Sequence, residues 1–321
     1  MSRFIQEEVV NQAEQTTGRL FRLPRRQTLE DEFSMLLSSH LGRMRSGAYF
    51  ESEVLLVTGK SGAGKTTEIE SMIKDFNSEQ IALPSGSNAR LASCELDRKG
   101  NWKALGRKTL KSMGYPVSDK ARLTQAEIWD RVFQQGEMQG CVGLNYDELQ
   151  HILADKEGEA LEEELDSFKS ILKSKSWPFF LILSGVPTLE DYLPKFEQLF
   201  RKVTHVKFED IDFDAEATTV HEMMSSYAIE AKLQIHDDLN SEEFIRRLVT
   251  AGAHRWGIVC EIVGKAIERA VGSHADTLTN DHFVEFWVSK TGMNALATPF
   301  NHENFDTVFR RDKPFQASVG C

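Results

Sequence analysis

The run Gly59-Lys60-Ser61-Gly62-Ala63-Gly64-Lys65-Thr66-Thr67 combines residue types and spacing that suit one task, gripping a phosphate chain. Its glycines let the backbone turn N–H groups onto phosphate oxygens, and a helix opening after them adds its positive end. Lys65 is expected at the β- and γ-phosphates, and the Thr66 hydroxyl at Mg2+. The expected nucleotide ligands are therefore Gly59, Gly62, Ala63, Gly64, Lys65, Thr66 and Thr67. The ligand implied is a nucleoside triphosphate with Mg2+.

Farther along, Leu144-Asn145-Tyr146-Asp147-Glu148 ends an apolar stretch with adjacent carboxylates. Downstream of a phosphate loop, an Asp at a strand end completes the Mg2+ shell, so Thr66 and Asp147 are the expected metal ligands. The following Glu polarises the attacking water as a general base. Small-molecule kinases need no such Glu, which counts against that class. Ser184 has two readings: a polar group facing the γ-phosphate or lytic water, or a turn serine before Gly185-Val186-Pro187. Arg201 also has two. It caps its own helix C-terminus, or it reaches a neighbouring subunit and stabilises transition-state charge there. Lys202 beside it carries the same charge. Arg255 opens an apolar helix, where its charge opposes the helix dipole, and that favours a task at the nucleotide.

These residues need a scaffold that brings distant positions together. Short apolar runs predict strands at 53–58, 89–96, 141–146, 179–184 and 203–208. Helical spacing predicts helices at 65–76, 101–113, 124–138, 157–175 and 188–201 between them. From about 214 to 290 the patterns are helical only, with breaks near 235–237, 252 and 272–273. Strands alternating with helices, then helices alone, indicate a parallel α/β domain followed by a small helical lid. The expected division is a helical lead-in at 1–50, an α/β ATPase core at 51–210, a lid at 211–295 and a tail at 296–321. In the tail, Phe305, Phe309 and Phe315 alternate with Arg310, Arg311 and Lys313. That segment is either a partner-binding element or a frayed end.

Bulk composition excludes several classes. No apolar run approaches the ~18 residues of a membrane span, and the start lacks a signal-peptide apolar region, so a cytoplasmic protein is expected. Cys94, Cys141, Cys260 and Cys321 are too widely spaced for a metal site and read as reduced thiols. A net charge of −11 argues against wholesale coating of nucleic acid while leaving room for a local basic surface.

The phosphate loop, Asp147-Glu148, Ser184, Arg201 before the fifth strand and Gly252-Ala253-His254-Arg255 together resemble an AAA+ ATPase over about residues 20–290. Within that superfamily the chain looks most like the transposition-regulator ATPases of the TniB/TnsC type. The cues are Leu23-Pro24-Arg25-Arg26 before a helix, Leu183-Ser184-Gly185-Val186-Pro187, and Thr298-Pro299-Phe300 in a Phe- and Trp-rich end. The resemblance implies an AAA+ P-loop fold and a homo-oligomer, ring or helical filament, that assembles on double-stranded DNA with ATP. It also implies a transposase and a target-selection protein as partners. It assigns Ser184 as sensor, Arg201 as finger and Arg255 as lid sensor.

One further pattern bears on DNA. Lys103, Arg107 and Lys111 fall on one face of the 101–113 helix, opposite Trp102, Leu105, Leu110 and Met113. The stripe is either an ordinary solvated face or a sequence-tolerant phosphate track. Two other functions compete: a replication-initiator or loader-type ATPase, which usually carries a separate DNA-binding domain after the lid, and a nucleotide-gated switch with little hydrolysis. The roughly 30 residues after position 290 are too few for such a domain, and the intact Glu148 argues against the switch.

Overall fold

The structure is a computed structural model that describes residues 5–11, 21–96, 101–118, 120–153, 156–192, 194–195 and 203–316. The chain divides into two compact units. Residues 24–61 and 65–208 form one, built on a sheet; residues 1–23, 62–64 and 209–321 form the other, built on helices.

In the sheet unit, helix α1 (Pro24–Ser46) precedes strand β1 (Val54–Gly59), helix α2 (Lys65–Ser78) and strand β2 (Arg90–Glu95). Helices α3 (Trp102–Ser112) and α4 (Gln125–Gln139) lead to β3 (Cys141–Asp147), and α5 (Gly158–Leu172) leads to β4 (Phe180–Gly185) and then β5 (Val203–Phe208). The strands are parallel in the order β2-β3-β4-β1-β5. Central strands of a parallel sheet are covered on both faces, so β1, β3 and β4 are buried along their whole length.

The polar and glycine interruptions in β3 have structural explanations. A Cβ at Gly143 would lie 2.8 Å from Leu91 and collide with the Phe180 ring. Asn145 donates to the Ser93 hydroxyl on β2 at 2.8 Å. Helix α4 is started by Thr124, which makes a reciprocal capping box with Glu127, and stopped by Gly140 in the left-handed region at φ 69°. Helix α1 buries Leu29, Phe33, Leu36, Leu37 and Leu41 at helical spacing. Phe33 meets Phe76 and Phe180 edge-on at 5.8 and 6.1 Å, and burial of such a ring contributes ~2 kcal/mol.

Of the Arg25-Arg26 pair that opens α1, Arg26 is buried. Its guanidinium binds Glu30 at 2.6 Å, Glu68 at 3.1 Å and Asp75 at 2.9 Å. Burial pushes the Glu68 carboxyl above its ordinary range, and Arg26 and Arg25 pull it back. This network fixes α1 to the face of α2 that carries Glu68 and Asp75.

In the helical unit, α6 (Phe213–Glu230), α7 (Glu242–Ala251), α8 (Trp256–Gly272) and α9 (Asn280–Thr291) enclose a core that includes Met224, Leu248, Val259, Ile262, Phe283 and Trp287. The sequence reads this region as helical only, yet β6 (Gln234–Ile235) and β7 (Thr277–Leu278) form a short parallel pair. Two-residue strands are too short to show a period of two. Of the 188–201 helix, a 3-10 segment at Pro187–Tyr192 is described, and residues 193 and 196–202 lie outside the described residues. Among the described residues no helix is long and apolar enough to cross a membrane. Cys94, Cys141 and Cys260 carry reduced thiols; Cys321 lies outside the described residues.

Candidate active site

In the sheet unit, the site is built where β1, β3 and β4 end. Gly59 closes β1 against the end of β5, where an added Cβ would stand 2.7 Å from the Phe208 carbonyl oxygen. The preceding Thr58 ties the same strand sideways: its hydroxyl lies 2.9 Å from a Glu190 carboxylate oxygen and 2.7 Å from His205 Nε2. Lys207 binds the other Glu190 oxygen at 2.5 Å. Lys65 and Thr66 open α2, and the Lys65 ammonium donates to the carbonyls of Gly59 at 2.7 Å and Lys60 at 3.2 Å. Its charge therefore lies over the base of the loop.

Three elements converge on the carboxylate of Asp147. The Thr66 hydroxyl donates to Oδ2 at 2.5 Å, the Ser184 hydroxyl donates to Oδ1 at 2.6 Å, and the Glu148 N–H donates to Oδ1 at 2.9 Å. Ser184 is fully buried at the end of β4. The strand order β3-β4-β1 makes this meeting possible, since Ser184 sits between the strand that carries Asp147 and the strand that feeds the loop.

Glu148 has a φ of 59°, a left-handed backbone that is uncommon for a side chain of this kind. Its carboxylate accepts from the Gln150 side-chain amide and lies 3.9 Å from His151 Nε2. Gln150 escaped the sequence reading because its link to Glu148 is a turn contact without a period. Leu149 N–H donates to the Ser184 carbonyl at 2.9 Å and holds this turn against the end of β4.

Of the other expected nucleotide residues, Thr67 lies exposed on α2, and Gly62, Ala63, Gly64 and Arg255 belong to the helical unit. Gly62 and Gly64 have φ values of 80° and 95°, the backbone that a loop of concave N–H groups requires. A Cβ at Gly62 would stand 2.7 Å from Ile258, and one at Gly257 would stand 2.6 Å from the Gly62 carbonyl oxygen. Ala63 is buried. Arg255 is the N-cap of α8 and is also buried. Its guanidinium donates to the carbonyls of Arg311 at 3.3 Å and Asp312 at 3.1 Å, which offsets the opposition between its charge and the helix dipole. Arg201 and Lys202 lie outside the described residues.

The donor set suits Mg2+ bound together with a phosphate chain. Among the described residues no three His, Cys, Asp or Glu side chains cluster as a complete metal cage. A hydroxyl and one carboxylate, Thr66 and Asp147, leave the rest of an octahedral shell to phosphate oxygens and water, the usual arrangement for this ion.

The basic stripe lines a cleft of about 880 Å3 with Lys103, Arg107, Lys108, Lys111 and Lys120. Arg107 donates to the Ala121 carbonyl at 3.0 Å, and Lys108 donates to the Glu95 carbonyl at 2.9 Å. On the opposite face Leu105, Leu110 and Met113 are buried and Trp102 stacks on Trp129 at 4.5 Å. The tail aromatics pack inward: Phe309 and Phe315 meet Trp287 at 5.8 and 5.1 Å, and Arg247 lies over Phe305 at 4.3 Å.

A five-stranded parallel sheet in this order, with a glycine loop after β1 and an Asp-Glu pair after β3, is the AAA+ P-loop ATPase fold. Residues 48–193 match the family model described as an AAA domain. No curated protein matches the chain in sequence. Solved structures similar to it include the ORC1 protein of Aeropyrum pernix in complex with DNA, at 12% identity and a TM-score of 0.59, covering 84% of this chain and 66% of that one. Another is Cdc6p from Pyrobaculum aerophilum, at 14% identity and 0.59, covering 86% and 72%. A third is the Aeropyrum pernix ORC2 protein in ADPNP-ADP complexes, at 16% and 0.57, covering 82% and 67%. At these identities the likeness is one of fold, and the chain spans about two thirds of the ORC1 and ORC2 chains.

Proposed function

We infer that this chain is a Mg2+-dependent ATPase that assembles as a homo-oligomer on double-stranded DNA. The observation that carries the ATPase reading is the meeting of Thr66, Ser184 and Glu148 on the single Asp147 carboxylate, next to the loop that Lys65 closes. Bound Mg2+ would draw charge from the β- and γ-phosphates. Thr66 and Asp147 would hold that ion, and Lys65 would face the same phosphates. Glu148 accepts the proton of the attacking water as its oxygen bonds to the γ-phosphorus. The bridging P–O bond breaks, ADP leaves, and the phosphate departs. Ser184 keeps Asp147 in register with the strand that carries the loop.

DNA binding is supported by the cationic cleft on α3 and by the fold likeness to an ORC1 protein solved with DNA. Regulation of transposition, by capturing target DNA and recruiting or activating a transposase, rests on the resemblance to the TniB/TnsC type. A replication-initiator or loader role is the second reading, favoured by the fold likeness to ORC and Cdc6 proteins.

Filter binding of duplex DNA with an ATP analogue at several salt concentrations tests the DNA reading. Lys103 and Lys111 are replaced by Ala, and Arg107 is spared because it supports the Ala121 carbonyl. The expected result is weaker binding to unrelated sequences alike, with a log–log salt slope flatter by about one unit for each phosphate no longer neutralised. An unchanged slope would make the stripe a solvated face. Electron microscopy of the same mixtures separates the two biological readings: a filament growing along any duplex favours the transposition regulator, and a closed assembly at particular sequences favours the initiator.

A further inference from the structure

Gln150 joins two parts of the site, the Glu148 carboxylate and the turn after Ser184. Its amide nitrogen donates to Glu148 Oε2, and its amide oxygen accepts from the Val186 N–H at 3.3 Å. The chemistry fixes which end faces which. The Val186 N–H is a donor and needs the oxygen, so the NH2 end is left for the carboxylate, an acceptor. Gly185 leaves room for this, because a Cβ there would collide with the Gln150 amide oxygen. Glu148 itself holds a left-handed backbone, at φ 59°.

A Glu side chain is free about three torsions, and a general base acts only within hydrogen-bond reach of its water. One oxygen of Glu148 is anchored by Gln150, which leaves Oε1 to take the proton. The anchor is itself tied to the peptide that follows the Ser184 strand, so movement of that turn reaches the base through one side chain. We propose that Gln150 is a positioning residue: it holds Glu148 in line with the lytic water and links that alignment to the Ser184–Val186 turn. This rests on the reading of Glu148 as the general base.

The two ends of the amide can be tested separately in the full chain. Gln150→Met removes both bonds at similar length. Gln150→Glu keeps the acceptor for Val186 but replaces the donor with a second carboxylate facing Glu148. Both variants are expected to lose about tenfold or more in kcat, with ATP-analogue affinity unchanged within about twofold. In a Glu148→Gln background, Gln150→Met should cause no further loss, because the residue acts through Glu148. A Gln150→Glu protein with wild-type kcat would overturn the proposal, since the tie to Val186 alone would then suffice. So would a tenfold loss that persists in the Glu148→Gln background, or a loss that appears in ATP affinity rather than kcat. If Glu148→Gln alone keeps wild-type turnover, the assignment of the base itself fails, and that result is distinct from a failure at Gln150.

Discussion

His40 makes a prediction whose size follows from its surroundings. It lies on α1, 3% exposed, with its ring edge-on to Phe50 and to Phe180, each at 5.2 Å. Burial holds its pKa down at about 4, with Arg43 adding to the effect and a backbone hydrogen bond at Pro178 opposing it. In the unfolded chain the imidazole titrates near its ordinary 6.5. Above pH 6.5 both states are neutral and nothing is lost. As pH falls from 6.5 toward 4 the unfolded chain takes up the proton first, so stability drops, and below about 4 the loss levels off. The full shift is worth about 3 kcal/mol, and about 2 kcal/mol of it is lost by pH 5. His40→Gln cannot titrate. Urea unfolding of both proteins at pH 7.5, 6 and 5 should show the wild type losing about 2 kcal/mol more than the variant. Other acid-sensitive groups are common to both chains and cancel in the difference. Parallel losses from pH 7.5 to 5 would refute the claim that His40 is buried neutral.

Two further outcomes are expected. Arg26→Met should cost about 3 kcal/mol in urea unfolding, because Glu68 is left buried without its main partner; Arg26→Met with Glu68→Leu should recover most of it. If Arg201 acts in trans, mixing Arg201→Ala with Lys65→Ala subunits should restore turnover beyond the sum of the parts. A Lys202→Ala mixture that performs as well would move the role to that residue.

What could be read from the sequence was what is local or periodic. The glycine loop and its helix are contiguous, and the buried strands are apolar runs, so residues 54–59, 90–95, 141–147, 180–185 and 203–208 were legible within a residue or two. Asp147, Glu148 and Ser184 were legible as polar ends of such runs. Their meeting was not, because it depends on strand order, which no local pattern encodes. Gln150 was missed for the same reason, since its second partner is the Val186 peptide on a different strand connection. The burial of Arg26 was not legible because its compensating acids, Glu68 and Asp75, are remote in sequence. The inward packing of Phe305, Phe309 and Phe315 depends on Trp287 and Arg247, which composition could not place.

The most direct test of the site is Glu148→Gln, with ATP affinity and turnover measured side by side. The substitution keeps the size of the side chain and removes only its capacity to take a proton, so nucleotide binding should stay near wild type. Turnover should fall by about a hundredfold or more, the usual cost of losing a general base. Lys65→Ala sets the opposite pole, with binding itself lost. A Glu148→Gln protein that binds ATP and hydrolyses it at the wild-type rate would contradict the assignment of Asp147 and Glu148 as the metal and water residues of an ATPase.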